Sequence, residues 1–129
     1  MRSLKILIVE DVDAMRKYLE VLLSTEKKFG ICASAKNTWE ARLAIEKNRP
    51  DLVLLDEILP GESSMDLFQD LQEKQIPVIM LTGMENPKHK LPKGALGRIK
   101  KPEFQGRRVE RKERCFSKTI LDLLANKVK

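Results

Sequence analysis

Five residues could do chemistry together if the chain brought them to one place. Glu10 and Asp11 follow the apolar run Lys5-Ile-Leu-Ile-Val9, and Asp56 closes the run Asp51-Leu-Val-Leu-Leu-Asp56. Thr82 ends Val78-Ile-Met-Leu-Thr82, and Lys101 sits in Lys100-Lys101-Pro102. In an open parallel sheet, ligands lie beyond the carboxyl ends of the strands, where all five would then meet. Carboxylates gathered within a few ångströms disfavour joint ionisation. A hard divalent cation relieves that cost, and Mg²⁺ takes one or two carboxylates together with water and phosphate oxygens. Asp56 can then attack a phosphoryl donor as a carboxylate nucleophile. Mg²⁺ and the Lys101 ammonium would balance the charge on the transferred oxygens, with the Thr82 hydroxyl adding a neutral hydrogen bond. Each residue alone has an ordinary reading as a strand end or a solvated charge; the set carries the argument.

The elements that must position them alternate along the chain. Lys5–Val9 is a short β-branched run suited to a strand buried on both faces. Met15, Leu19, Leu22 and Leu23 then recur at helical spacing, with Asp13 expected as the cap. Ile31–Ala35 reads as a second strand, and Thr38 starts a helix turning Trp39, Leu43, Ala44 and Ile45 inward, with Trp39 partly buried. That helix ends at Asn48-Arg-Pro50, since proline disfavours a helical residue before it. After Asp56 and a Pro60-Gly61 turn, Ser63 and Asp66 resemble a capping box for a third helix carrying Met65, Leu67, Phe68 and Leu71. Pro77 precedes the Val78–Thr82 strand, and a last short strand falls near Arg98–Lys100. A final helix over about residues 109–127 buries Phe116, Ile120, Leu121, Leu123 and Leu124. Strand–helix alternation of this kind predicts βαβ units, a doubly wound α/β sheet and helices on both faces.

Composition sets the class. The chain has 129 residues, 42% hydrophobic and 34% charged, which suits one domain over 1–129 with its own core. No apolar run is long enough for a bilayer, so no membrane partner is expected. Glu10 and Asp11 interrupt the first apolar run too early for a signal peptide, which points to the cytoplasm. Cys32 and Cys115 then read as reduced thiols. With His89 the only histidine, a zinc centre or histidine-based triad has no ligand set. The net charge of +6 is concentrated late, where Lys and Arg between Lys88 and Lys118 greatly outnumber Glu103, Glu110 and Glu113. A solvated face is the preferred reading of that stretch.

The pieces Ile8-Val9-Glu10-Asp11, Met15-Arg16, Pro50–Asp56, Leu59-Pro60-Gly61, Pro77–Thr82, Gly94-Ala95 and Lys101-Pro102, in this order, resemble a response-regulator receiver domain. The resemblance spans essentially the whole chain. It implies a flavodoxin-like five-stranded sheet of order 2-1-3-4-5. It also implies phosphotransfer to Asp56 from a histidine kinase or phosphotransfer protein, with Glu10, Asp11, Asp56 and the Ile58 backbone carbonyl around Mg²⁺. The chain would act as a stand-alone switch, passing its signal to a downstream protein on the 83–118 face, and would not be an enzyme beyond assisting its own phosphorylation and dephosphorylation.

Four features depart from the family pattern. Arg98 stands where an aromatic residue usually lies, three residues before the lysine of the Lys-Pro pair. Burying its charge without a partner is costly, so it is expected either to swing inward at a price in stability or to stay outside and read an acidic partner. The segment between Thr82 and Gly94 is short and holds Pro87 and Pro92, leaving the fourth helix short or degenerate. Ser64 stands where the family commonly has glycine; serine can cap the next helix, which would rebuild the turn. Ile58 and Met84 are apolar where water is directed at the phosphoryl group, which predicts a long-lived phosphoaspartate. Two other functions compete. A non-switching docking module would use Arg107, Arg108, Arg111, Lys112 and Arg114 to hold an acidic protein or nucleic acid. A phosphatase of the haloacid-dehalogenase type would need an acid where Ile58 stands.

Overall fold

The computed structural model describes residues 3–59, 63–83, 90–102 and 109–126, with 109–114 described as backbone only. The elements run β1 (Leu4–Val9), α1 (Asp13–Ser24), β2 (Phe29–Ala35), α2 (Thr38–Lys47), β3 (Leu52–Asp56), α3 (Ser64–Glu73), β4 (Val78–Thr82), β5 (Gly97–Lys100) and α4 (Val109–Asn126). The Pro60-Gly61 turn, Pro87, Met84, His89, Lys127 and the side chains of Arg107, Arg108, Arg111, Lys112 and Arg114 lie outside the described residues. So does most of the segment expected to hold the helix between β4 and β5; its described part, 90–96, is not helical.

The five strands form one parallel sheet of order β2-β1-β3-β4-β5. Both expectations, the doubly wound α/β class and the flavodoxin-like order, match it. β3 and β4 are buried at every residue, which explains their unbroken apolar runs. Side chains alternate between two cores. Ile6, Ile8, Leu52, Leu54, Ile79, Leu81 and Ile99 meet α1 and α4 through Leu19, Leu22, Leu23, Phe116 and Ile120. Leu7, Val9, Val53, Leu55, Val78 and Met80 meet α2 and α3 through Ala41, Leu67, Phe68 and Leu71. The β1–β2 register slips between Ile6 and Leu7, leaving Cys32 as the extra residue of a bulge. Among the described residues, no helix is long and apolar enough to cross a membrane.

Several local expectations are corrected. Asp13 does not cap α1: Val12 is the cap residue, without a side-chain bond, and Asp13 pairs with Arg16 inside the first turn. Asn37 caps α2 by accepting from the Glu40 N–H at 2.8 Å. Trp39 and Leu43 do not face inward; Trp39 is 67% exposed, and Thr38 and Ala41 take the buried side of α2. Met65 is likewise exposed on α3, while Leu67, Phe68 and Leu71 are buried. The Ser63 cap of α3 is present as expected, accepting from the Met65 N–H at 3.1 Å, and Ser64 is the first residue of the helix.

Two glycines near β5 sit in close quarters, and the backbone of the second calls for glycine. Gly97 lies under Leu123 of α4, where a Cβ would stand 2.7 Å from Cδ1. Gly94 has φ +101° in a turn closed by Ala95 N–H to the Pro92 carbonyl at 3.1 Å, and a Cβ there would collide with the Gln72 side chain. Gly94→Ala should therefore cost at least about 1–2 kcal/mol, the penalty for left-handed backbone in an L-residue. A urea midpoint equal to the parent's would contradict this placement.

Candidate functional site

The sheet order decides which strand ends meet. β1 and β3 are adjacent, so Glu10 and Asp11 come beside Asp56; β4 and β5 follow, bringing Thr82 and Lys101. The β ladder continues past the strands, with Glu57 N–H on the Leu81 carbonyl at 3.0 Å and Lys101 N–H on the Thr82 carbonyl at 2.7 Å. Asp11, Asp56, Glu57, Ile58, Thr82, Gly83 and Lys101 line a crevice of about 260 Å³ at this end.

Glu10 is fully buried and Asp56 is 3% exposed. Lys101 Nζ lies 2.6 Å from Glu10 Oε1 and donates to Asp56 Oδ2 at 3.0 Å, so one ammonium serves two acids. The Glu10 contact is one of charge rather than of aligned donor and acceptor: Glu10 Oε1 has no hydrogen bond of proper geometry. Its other oxygen accepts from the Val12 N–H at 3.1 Å, and the Glu10 carbonyl accepts from Arg16 at 2.9 Å. Ile58 N–H donates to Asp56 Oδ1 at 3.1 Å. Ser64 Oγ donates to the Asp56 carbonyl at 2.8 Å, tying the start of α3 to the end of β3. This role of Ser64 went unseen in the sequence, where serine before a helix reads first as a cap.

Burial pushes the Asp56 carboxyl up to about 7; the Ile58 N–H and Lys101 oppose the shift, and the Glu10 charge adds to it. Burial works to lower Lys101, but its contacts with Glu10 and Asp56 outweigh that and raise it. Carboxylate oxygens of Glu10, Asp11 and Asp56 all lie within 4.8 Å of one another. An all-oxygen donor set with one buried oxygen short of a hydrogen bond fits a hard divalent cation such as Mg²⁺.

Arg98 neither swings free inward nor stays outside. Its Nε lies 2.5 Å from Glu57 Oε1, and the two side chains are 18% and 14% exposed. The partner that sequence reasoning sought in another protein is the residue after Asp56.

The profile of the response regulator receiver domain family matches residues 6–111. The chain belongs to this family. Receiver domains of two-component systems generally serve as phosphoacceptor switches, and Mg²⁺ is typical of them. The protein-glutamate methylesterase/protein-glutamine glutaminase of Pyrococcus abyssi is 32% identical over 107 residues, covering 78% of this chain and 29% of that protein. The phosphate regulon transcriptional regulatory protein PhoB of Pseudomonas aeruginosa is 38% identical over 90 residues, 67% of this chain and 38% of that protein. The chain thus spans well under half the length of these relatives. Among solved structures, a chain of the complex between the P1 domain of CheA3 and CheY6 from R. sphaeroides aligns at TM-score 0.79 and 24% identity, over 97% of this chain and 99% of that one. A CheY-like receiver domain from Methylobacillus flagellatus aligns at TM-score 0.66 and 25% identity, covering 79% and 89% of the two chains.

The raised Asp56 carboxyl makes a pH prediction about this receiver domain without any metal. A carboxyl protonated more readily in the folded chain contributes stability below its ordinary value near 3.8, and that stability is lost as pH rises through about 7. Asp56→Asn removes the titration. In metal-free buffer its Tm, relative to the parent, should rise from about pH 4 to about pH 7 and level off above that. A difference that stays flat over that range would contradict the buried geometry.

Proposed function

We propose that the chain is a phosphoacceptor signalling switch in which Asp56 takes a phosphoryl group and the signal passes on by protein–protein contact. The observation that carries this reading is the Lys101 ammonium held between Glu10 and Asp56, at 2.6 and 3.0 Å, inside a three-carboxylate cluster. In this reading residues 1–129 act as one receiver unit in the cytoplasm. The phosphodonor is a histidine kinase or phosphotransfer protein, and the output partner binds the 83–118 face.

Asp56 Oδ attacks the phosphorus of a phosphohistidine, the P–N bond breaks, and the imidazole leaves with its electron pair. Glu10, Asp11, Asp56 and the Ile58 carbonyl would hold Mg²⁺, which supplies positive charge against the phosphoryl oxygens. Lys101 follows the transferred group as its second counter-charge, and the Thr82 hydroxyl hydrogen-bonds one of its oxygens. The Ile58 N–H keeps the Asp56 carboxylate turned toward the crevice at 3.1 Å.

Ile58 is 73% exposed at the crevice mouth and carries no group that could orient water. Hydrolysis of the acyl phosphate should accordingly be slow, and Ile58→Asn should shorten its lifetime; rapid loss from the parent would overturn this.

The decisive test uses Mg²⁺ and acetyl phosphate with intact-mass detection. The parent should gain one phosphoryl group, and Asp56→Asn none. Lys101→Ala should slow adduct formation by on the order of a hundredfold, as expected for removing one charge stabiliser. No adduct on the parent, combined with steeply salt-dependent binding of an acidic protein or nucleic acid, would favour the docking function instead.

A further inference from the structure

Glu57 has no part in the chemistry above, yet it stands between the acceptor and β5. Its N–H is fixed to the Leu81 carbonyl, and the next residue, Ile58, supplies both the N–H on Asp56 and a carbonyl expected to hold metal. Its carboxylate turns the other way, across Met80 on β4, to the Arg98 guanidinium on β5, where Arg98 is paired in register with Met80. Beside this ion pair lies a second cavity of about 410 Å³, lined by Glu57, Ser64, Met65, Met80, Lys90, Pro92 and Arg98. Among the described residues, Glu57 is the one this cavity shares with the acceptor crevice.

We propose that Arg98 is a positioning residue for the acceptor site. Through Glu57 it straps the 57–59 turn to β5, and by that strap the state of the crevice is felt at β5. The inference rests on the reading of the crevice as a Mg²⁺ and phosphoryl site. An ion pair with both side chains this sheltered is strongly destabilised when one partner is removed or swung away, because the other charge is left uncompensated. If occupancy of the crevice shifts the backbone at 57–58, Arg98 must follow or its pairing with Glu57 breaks. Coupling between two sites is reciprocal, so loosening Arg98 must also change what the crevice binds.

The direction of that change separates positioning from simple charge. Removing a cation near a metal site should tighten Mg²⁺ binding by electrostatics alone. Removing a strap on the turn that carries a metal-binding carbonyl should weaken it, by on the order of tenfold, as for loss of an outer partner of a metal ligand. Mg²⁺ alone is titrated calorimetrically into the full chain, and hydrogen exchange of the 97–100 amides is followed with and without Mg²⁺. Expected results are weaker binding and no Mg²⁺-dependent change at 97–100 in Arg98→Ala, with both restored toward the parent in Arg98→Lys. Arg42→Ala, which removes the Arg42–Asp70 pair between α2 and α3, should leave Mg²⁺ affinity unchanged and controls for lost stability. If Arg98→Ala does not fold, Arg98→Gln takes its place. Unchanged or tighter Mg²⁺ binding in the folded variant overturns the proposal. A parent that neither binds Mg²⁺ nor forms a phosphoryl adduct overturns the crevice reading and this one with it, whereas a parent that does both beside an unaffected Arg98 variant removes the strap alone.

Discussion

The structure depends on how it tolerates acids buried at one end of a sheet. Glu10 has no exposed surface and Asp56 almost none, and two such carboxylates side by side would be prohibitive if both were charged and unopposed. Lys101 answers that cost by reaching both, and the Val12 and Ile58 N–H groups take one oxygen from each. The compensation is incomplete. Asp56 stays pushed up to about 7, and Glu10 keeps an oxygen without a hydrogen bond. A site held in that condition is poised for an incoming positive charge, and this incompleteness gives it chemical capacity.

That arrangement explains the rest of the fold's priorities. Lys101 reaches Glu10 and Asp56 only because β5 is carried across the sheet next to β4, with the Lys101 N–H bonded to the Thr82 carbonyl. Gly97 lets α4 press close enough to hold β5 down. Gly94 makes the turn that brings the chain into that strand. Ser64 fastens the Asp56 carbonyl to α3. The residues around the crevice are thus anchored by every neighbouring element, as a preorganised charged site requires. The Glu57–Arg98 pair extends the same logic sideways: a charge placed where an aromatic ring is usual meets a counter-charge on the residue after Asp56.

Much of this was legible in the residues themselves. Strands buried on both faces must be apolar throughout, so β1, β3 and β4 announced themselves as runs, and the parallel sheet followed from their alternation with helical spacing. Polar residues interrupting such runs at their ends could only be costly or useful, which singled out Glu10, Asp11, Asp56, Thr82 and Lys101. Which helix residues faced inward was less legible. On α2 the periodicity favoured Trp39 and Leu43, but the sheet accepts Thr38 and Ala41 there, because the distance between helix and sheet is set by all contacts together and not by the largest side chain. Caps were legible in part: Ser63 caps α3 as its chemistry suggested, whereas Asp13 falls one residue inside α1 and pairs with Arg16 instead.

The sequence by itself determined the class of fold, the order of elements and the set of groups from which a site could be made, since these rest on local periodicity and on the chemistry of single side chains. The tertiary structure alone decided how charge is shared. It showed Lys101 serving two acids, Ser64 bonded to the Asp56 carbonyl eight residues back, and Arg98 paired with a carboxylate 41 positions away. Electrostatic pairing depends on distance and burial in three dimensions, and no spacing along the chain encodes which of several acids a given cation will meet.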